Sequence, residues 1–153
     1  MPLIIENLDA LQGFVGRELA TTDWLEISQE RIRQFAETTE DPQWIHLDHE
    51  RAQRESPFTT AIAHGFLTLS LLSHFSKEAF EIRKGVGIFL NYGLNRVRFP
   101  APVPAGSMIR ARFALQSLRD VGNAHEAVFS VVVEGQGQTK PCCVAEWVTR
   151  FYP

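Results

Sequence analysis

Residues 64–80 read HGFLTLSLLSHFSKEAF, and they predict a helix that is apolar on most of its sides. The large side chains follow a helical spacing and leave only a narrow polar face. They are Phe66, Leu67, Leu69, Leu71, Leu72 and Phe75. Such a helix is stable in water only when other elements cover it. We therefore expect a central helix that the rest of the chain surrounds.

Downstream of this helix the apolar pattern changes from a helical period to a period of two. Residues 109–115 alternate apolar with mostly basic side chains, and residues 126–134 alternate in the same way. Further strands are predicted at 86–92, 95–99 and 142–151, separated by turns rich in Pro, Gly, Asn and Asp. Helices followed by a run of antiparallel strands indicate the α+β class.

Upstream of the helix the chain alternates short elements with sharp breaks. A short strand is predicted at residues 23–27, followed by Ser28 at the N-cap position of a helix that ends near residue 39. An Asp-Pro pair opens residues 41–46, and proline disfavours helical backbone in the residue before it. We expect a fixed loop there, leading to a second short helix near residues 48–54.

The size and charge of the chain narrow the classes of protein to consider. With 153 residues, 44% of them hydrophobic and 11 of them Phe, residues 1–153 are expected to form one domain around one core. The 15 basic and 18 acidic residues give a net charge of −3. This balance offers no positive surface for a phosphate backbone, so nucleic acid is not an expected partner.

The sequence also predicts where the protein works. Its longest apolar stretch, residues 61–72, is too short and too polar to span a bilayer, so no membrane segment is expected. The N-terminus lacks the basic residues of a secretory signal, and we expect a cytoplasmic protein. Cys142 and Cys143 are neighbours and would point to opposite faces of a strand. We interpret both as reduced, packed thiols.

Two short motifs combine the groups that acid–base chemistry on a carbonyl compound requires. Asp41 and His46 stand five residues apart on the rigid loop, where a carboxylate and an imidazole can hold one water molecule. Gly65 opens the apolar helix, where backbone N–H groups have no partner within the helix. Such an amide can stabilise a developing negative charge on an oxygen.

Three separated blocks resemble one known family. They are EDPQWIHLDHERA at residues 40–52, SPFTTAIAHGFLTLSLL at 56–72 and NYGLNRVRFPAPVPAGS at 91–107. The chain resembles the MaoC-like dehydratases, R-specific enoyl-CoA hydratases of hot-dog fold, and most closely their nodulation-protein-N-like branch. The resemblance implies an antiparallel sheet of five or six strands wrapped around a central apolar helix. It also implies a homodimer with sites for acyl-CoA, or acyl carrier protein thioesters, near the subunit interface.

The resemblance assigns roles to four residues. The catalytic pair falls on Asp41 and His46, the N–H that binds the thioester oxygen on Gly65, and a supporting hydroxyl on Ser73. It implies hydration of a trans-2-enoyl thioester to the R-3-hydroxyacyl thioester, or the reverse, with no metal or redox cofactor. The chain has Glu40, Gln43 and Trp44 where the family commonly has Gly, Asn and Pro, which bears on the shape of the acyl pocket.

Several alternatives stay open at the level of sequence. His64 fits a structural role at the helix start, and Asp41, His46 and His64 together have the ligand types of a metal site. Ser73 could instead bond a backbone carbonyl one turn back. Four arginines alternate on predicted strands, either on a solvated face or toward CoA phosphates: Arg96, Arg98, Arg110 and Arg112. The competing functions are a hot-dog thioesterase and a non-catalytic acyl-binding subunit.

Overall fold

The computed structural model describes residues Met1–Pro153, and its centre is a sheet against which two consecutive helices pack. The first part of the chain contains β1 (Leu3–Ile5), α1 (Leu8–Gln12), β2 (Arg17–Thr21) and β3 (Leu25–Ile27). Helices α2 (Gln29–Thr39), α3 (Trp44–Leu47), α4 (His49–Glu55), α5 (Gly65–Ser70) and α6 (Leu72–Ala79) follow. The chain ends with β4 (Phe80–Ile82), β5 (Ile88–Arg98), β6 (Ser107–Asp120), β7 (His125–Gly135) and β8 (Cys143–Tyr152).

The main sheet has six antiparallel strands. Its order is β2-β6-β7-β8-β5, and β3 pairs with β6 beside β2. A separate pair joins β1 to β4 in parallel. The strand alternation predicted for residues 109–115 and 126–134 is confirmed, because inward side chains of β6 and β7 are buried and outward ones are partly exposed. The α+β class is likewise confirmed.

The core lies between the sheet and the two central helices. Aromatic rings fill its middle, where Phe129 stands 6.0 Å from Trp147 and 5.3 Å from Phe80 between ring centroids. Phe75 of α6 is fully buried against this layer. Burying one such side chain contributes about 1.5–3 kcal/mol, so this layer is a major source of the stability that positions α5 and α6.

The predicted helix over residues 64–80 is two helices that meet at Leu71. The Leu71 amide is shared between the carbonyls of Leu67 and Thr68, both at 3.2 Å. The Ser70 hydroxyl also donates to the Leu67 carbonyl at 2.7 Å. This local bond accompanies the break between the two helices. Phe66 was expected to be covered, but 68% of it is exposed.

The two predicted strands at 86–92 and 95–99 are wrong as separate elements. They form the single strand β5, paired along its length with β8. The pairing register shifts between Asn91 and Gly93 and again between Leu94 and Arg96. Each shift inverts the inward and outward faces, so one bulged strand produces the sequence pattern of two strands.

Several shorter elements also differ from the prediction or confirm it. The loop predicted at 41–46 includes one helical turn, α3. Ser28 caps α2 as predicted, accepting a hydrogen bond from the Arg31 amide at 3.1 Å. The elements β1, α1 and β2 were not predicted, since three to five residues are too few to establish a period.

The structure describes the state of the two cysteines and the character of the helices. Cys142 and Cys143 are free and buried, and burial raises the pKa of their thiols to about 11 and about 12. None of the helices combines the length and the apolar character that a bilayer crossing requires.

Candidate active site

Asp41 is fixed by the way helix α2 ends. The Asp41 amide donates to the Ala36 carbonyl at 3.0 Å, and the Glu40 amide donates to Glu37 at 3.4 Å. This pair of bonds is a Schellman ending, which requires left-handed backbone at the residue before Asp41. Glu40 has φ 57° there, so a residue with a side chain occupies a conformation that favours glycine. The ending directs Asp41 out of the helix, and its side chain is about half exposed.

His46 is buried, and one ring nitrogen has a backbone partner. Its Nδ1 lies 2.7 Å from the Ile62 carbonyl. A carbonyl only accepts, so Nδ1 carries the proton and Nε2 is left with a lone pair. Two further bonds hold the turn that carries His46. The side-chain amide of Gln29 donates from Nε2 to the His46 carbonyl at 2.8 Å, and the backbone amide of Ile62 donates to the Ile45 carbonyl at 3.1 Å.

Burial also sets the protonation state of His46. The pKa of its imidazole is lowered, chiefly because burial disfavours the charged form. The hydrogen bond to Ile62 and the nearby Asp41 charge act in the opposite direction, and His64 adds to the lowering. The folded chain therefore favours the neutral form of the His46 imidazole.

Gly65 begins α5, and its amide has no partner within the helix. The Phe99 ring lies beside it. A Cβ built on Gly65 would stand 3.0 Å from that ring, which is tighter than most such contacts, so the ring would have to shift by a few tenths of an ångström. Glycine therefore fits this position without displacing the Phe99 side chain.

These groups line one cavity of about 370 Å³. Asp41, His46 and Gly65 share it with His64, and the apolar walls are Phe35, Phe66 and Phe99. One side-chain ligand atom each from Asp41, His46 and His64 falls within 4.8 Å of the other two. Three of the four residues that the sequence singled out thus come together.

Ser73 lies elsewhere. It lines a second groove, of about 350 Å³, between α6 and the exposed strand β5. Its hydroxyl and the Asn91 side-chain amide are 3.2 Å apart, so its partner is a neighbouring strand and not its own helix. The structure does not bring Ser73 into the cavity of Asp41 and His46.

The two histidine rings are stacked, which bears on the metal alternative. The centroids of His46 and His64 are 3.7 Å apart, and the ring planes differ by 21°. Ring nitrogens bind a metal in the plane of the ring, at about 2.0–2.1 Å for zinc. One ion cannot lie in two nearly parallel planes at this separation, so the donor set fits a metal poorly.

The alternating arginines mostly have partners of their own. Arg110 and Arg112 both pair with Glu134, at 3.0 and 2.6 Å, on the outer face of the sheet. Arg110 also lies over the Trp24 ring, with 4.5 Å to the centroid. Arg98 donates to the adjacent Val97 carbonyl at 2.7 Å. This arrangement is that of a solvated sheet face.

Comparison with known proteins identifies the family. Residues 10–136 match the family model described as MaoC like domain. The chain belongs to the MaoC-like family. It is 46% identical over 147 residues to 3-hydroxyacyl-thioester dehydratase Z of Mycobacterium tuberculosis, covering 95% of this chain and 96% of that one. It is 41% identical over 150 residues to nodulation protein N of Rhizobium meliloti, covering 96% and 93%. The predicted family and branch are confirmed.

A solved structure confirms the predicted fold of this MaoC-like protein. The (R)-hydratase from A. caviae involved in PHA biosynthesis superposes with a TM-score of 0.73 at 23% identity, covering 90% of this chain and 96% of the other. The shared architecture is the hot-dog fold, here an antiparallel sheet of six strands with α5 and α6 packed against it. As a MaoC-like dehydratase the protein is a hydro-lyase, an enzyme that adds water to its substrate or removes it.

His64 is the residue of this cavity that the sequence pattern does not reveal. His64 was interpreted as a structural residue at the helix start, but its ring forms part of the cavity wall between Phe35 and His46. No local pattern reveals this contact, because it depends on how α2 and α3 pack on the start of α5. The only signal in the sequence is its position directly before Gly65.

Proposed function

We propose that this MaoC-like protein adds water to a trans-2-enoyl thioester to give the R-3-hydroxyacyl thioester, and catalyses the reverse dehydration. The observation that carries the proposal is the state of His46. Its Nδ1–H is engaged by the Ile62 carbonyl, its pKa is lowered, and it shares a cavity with Asp41 and Gly65. A neutral imidazole with an available Nε2 is a suitable general base at neutral pH.

In the proposed reaction, His46 and Asp41 hold one water molecule between them. The dyad removes a proton as the oxygen of that water bonds to Cβ of the enoyl group. The electron pair of the double bond moves to Cα and is delocalised onto the thioester oxygen as an enolate. The Gly65 N–H donates to this oxygen. The same dyad then returns the proton to Cα, so that one molecule of water has been added in total.

Two observations support the proposed substrate class, the names of the relatives and the second groove. One relative is named for a 3-hydroxyacyl thioester, and we propose an acyl-CoA or an acyl carrier protein thioester for this chain. The groove beside Ser73 is lined mostly by apolar residues, among them Leu69, Leu72 and Trp147. It suits an acyl chain, and we propose that the Ser73 hydroxyl supports the substrate from within this groove, outside the cavity of Asp41 and His46.

An activity screen tests the proposed reaction. The protein is incubated with trans-2-enoyl-CoAs of graded chain length, beside the saturated acyl-CoAs. We expect loss of the enoyl absorbance without release of free thiol, and a product that an S-specific 3-hydroxyacyl dehydrogenase does not oxidise. Release of thiol from the saturated substrates would indicate a thioesterase. Binding of these thioesters without any turnover would indicate an acyl-binding subunit.

We also propose that the protein is a homodimer. The edge strand β5 carries a row of exposed apolar side chains and has a free hydrogen-bonding edge over 11 residues. The exposed residues are Ile88, Leu90, Tyr92 and Leu94. Long, exposed apolar edges pair with another chain, and a two-fold pairing of β5 with itself would cover this one.

We propose that the protein is located in the cytoplasm. Its support is the chemistry of the cysteines. Both thiols are free, and Cys143 is fully buried with a raised pKa, which makes it unreactive. Free thiols are typical of proteins in reducing compartments. Fractionation of the source cells, with antibody detection of the chain, tests this proposal.

A further inference from the structure

His64 is a polar residue of the active-site cavity to which the proposed reaction gives no role. Its side chain is 4% exposed. One face of its ring stacks on His46 at 3.7 Å, and Phe35 stands 4.9 Å away. A polar ring held this firmly among aromatic neighbours is expected to use its nitrogen atoms.

One of those nitrogens contacts Asp41. The Nε2 of His64 lies 3.0 Å from the Asp41 backbone carbonyl and 3.8 Å from its carboxylate. The carbonyl can only accept, so Nε2 carries the proton and donates. The other nitrogen, Nδ1, is buried and has no partner. A proton on Nδ1 would leave a buried donor unsatisfied, which reinforces this tautomer.

The position of Asp41 depends on the hydrogen bond between its backbone carbonyl and His64, because little else holds the Asp41 side chain. Its side chain is 54% exposed, and apart from the long contact to His64 it forms no hydrogen bond within the protein. Two hydrogen bonds hold its backbone. The Asp41 N–H donates to the Ala36 carbonyl, and the Asp41 carbonyl accepts from His64. Pro42 follows directly and has no N–H to contribute.

We propose that His64 is a positioning residue that fixes Asp41 relative to His46. One ring performs both tasks, because it donates to the Asp41 backbone and stacks on the His46 imidazole. The inference rests on the proposed function, since it concerns the geometry of the Asp41–His46 pair. His64 itself need not touch the substrate or exchange a proton with it.

Two matched substitutions separate the hydrogen bond from the stacking. His64→Phe keeps an aromatic ring between Phe35 and His46 but removes the donor to Asp41. His64→Gln keeps an N–H at a similar reach but removes the ring. Misplacing a reacting group by about 1 Å costs on the order of 100-fold in rate. We expect His64→Phe to lower kcat by about 10- to 100-fold with little change in KM, and His64→Gln to lose less.

A mutant cycle with Asp41→Asn distinguishes positioning from a general structural role. If His64 acts through the Asp41 carboxylate, His64→Phe should change kcat little once that carboxylate is absent. An equal loss in both backgrounds would overturn the inference. A near-native rate for Asp41→Asn alone would instead count against the proposed function.

A measurement without substrate tests the same inference. Nitrogen-15 NMR of the imidazole side chains assigns which ring nitrogen of His64 carries a proton. We expect a proton on Nε2 in the wild-type protein at neutral pH, and the same tautomer whether or not turnover is detected. An unprotonated Nε2 would overturn the inference, even if every substitution at residue 64 failed to fold.

Discussion

The imidazole of His46 is the group on which burial has the clearest chemical effect. Removing it from water favours the neutral form, and the Ile62 carbonyl selects the tautomer. Burial also couples the protonation of His46 to folding, since the unfolded chain lacks the burial that lowers its pKa.

We predict that His46 makes the protein less stable as the pH falls. Its pKa in the folded state lies below the ordinary value of about 6.5, so the unfolded chain binds the proton more readily as the pH drops through that value. The His46 contribution to stability is thus present above about pH 6.5 and is lost as the pH falls toward the folded pKa. Thermal melting between pH 7.5 and 5.5 measures the loss.

The control for this prediction is His46→Gln, which keeps a donor near Ile62 but does not titrate. Other groups contribute to acid sensitivity, so the informative quantity is the difference in slope between the two proteins. We expect the variant to show the shallower dependence. Parallel curves for the two proteins would contradict the lowered pKa.

At Gly65 we predict that a single added methyl group harms stability and activity by different routes. In Gly65→Ala the new Cβ would stand 3.0 Å from the Phe99 ring, and overpacking of this kind typically costs about 1–3 kcal/mol. The same methyl group would also stand beside the proposed position of the thioester oxygen. Melting curves and hydration rates record the two effects.

Trimming Phe99 separates the two effects of Gly65→Ala. The double variant with Phe99→Ala has room for the methyl group, so the added cost of Gly65→Ala should be smaller in that background. Its hydration rate should stay below that of Phe99→Ala alone. Recovery of the full rate together with the stability would mean that the Gly65 amide does not contact the substrate.

At the scale of elements, the ending of α2 places Asp41, the carboxylate of the proposed catalytic pair, at a small conformational cost. The Schellman bonds from Glu40 and Asp41 turn the chain sharply so that Asp41 leaves the helix toward the cavity. The family commonly has glycine where this chain has Glu40, and the positive φ explains that preference. This chain forms the same turn although Glu40 is poorly suited to left-handed backbone.

We predict that the residue at position 40 tunes stability with little effect on catalysis. Glu40→Gly fits the left-handed backbone, whereas Glu40→Ala removes the same carboxylate but retains a Cβ. Left-handed backbone costs a residue with a side chain about 1–2 kcal/mol, so the glycine variant should be the more stable of the two by about 1 kcal/mol. Urea unfolding measures the difference, and a more stable alanine variant would contradict it.

The same elements explain which parts of the structure the sequence could predict. Ser28 and the strand alternation of β6 and β7 follow from local rules, and the structure confirms them. The bulges of β5 and the turn at Trp44 depend on partners distant in the chain, so local periodicity could not reveal them. Asp41, His46 and Gly65 were identified through motifs, but the Ile62 carbonyl that orients His46 was not.

For the whole molecule, the uncovered edge of β5 is the feature that concerns assembly. The opposite edge of the sheet is formed by two short strands, β2 and β3. Strand β5, in contrast, carries exposed apolar side chains on an unpaired edge. The groove of Ser73 runs along this same strand. A second copy paired there would also close that groove from the side.

We predict that charges on β5 dissociate the dimer. Light scattering of the wild-type protein should give twice the 17.3 kDa of one chain. The double variant Leu90→Lys with Leu94→Lys places like charges on the paired edge and should shift the mass toward one chain. Val15→Lys is the control, because Val15 is also an exposed apolar residue but lies away from β5. A wild-type mass of 17.3 kDa would contradict the proposed dimer.

The central claim is that Asp41 and His46 act as one unit on one water molecule, and a double-mutant cycle of hydration rates tests it most directly. Positioned acid–base groups contribute about 100- to 10,000-fold, so Asp41→Asn and His46→Gln should each lower kcat by that order while the melting temperature stays close to that of the wild type. The double variant should be scarcely slower than the slower single variant, because either change already disables the unit. Losses that multiply would assign separate roles to the two residues, and a single variant with a near-native rate would contradict the account.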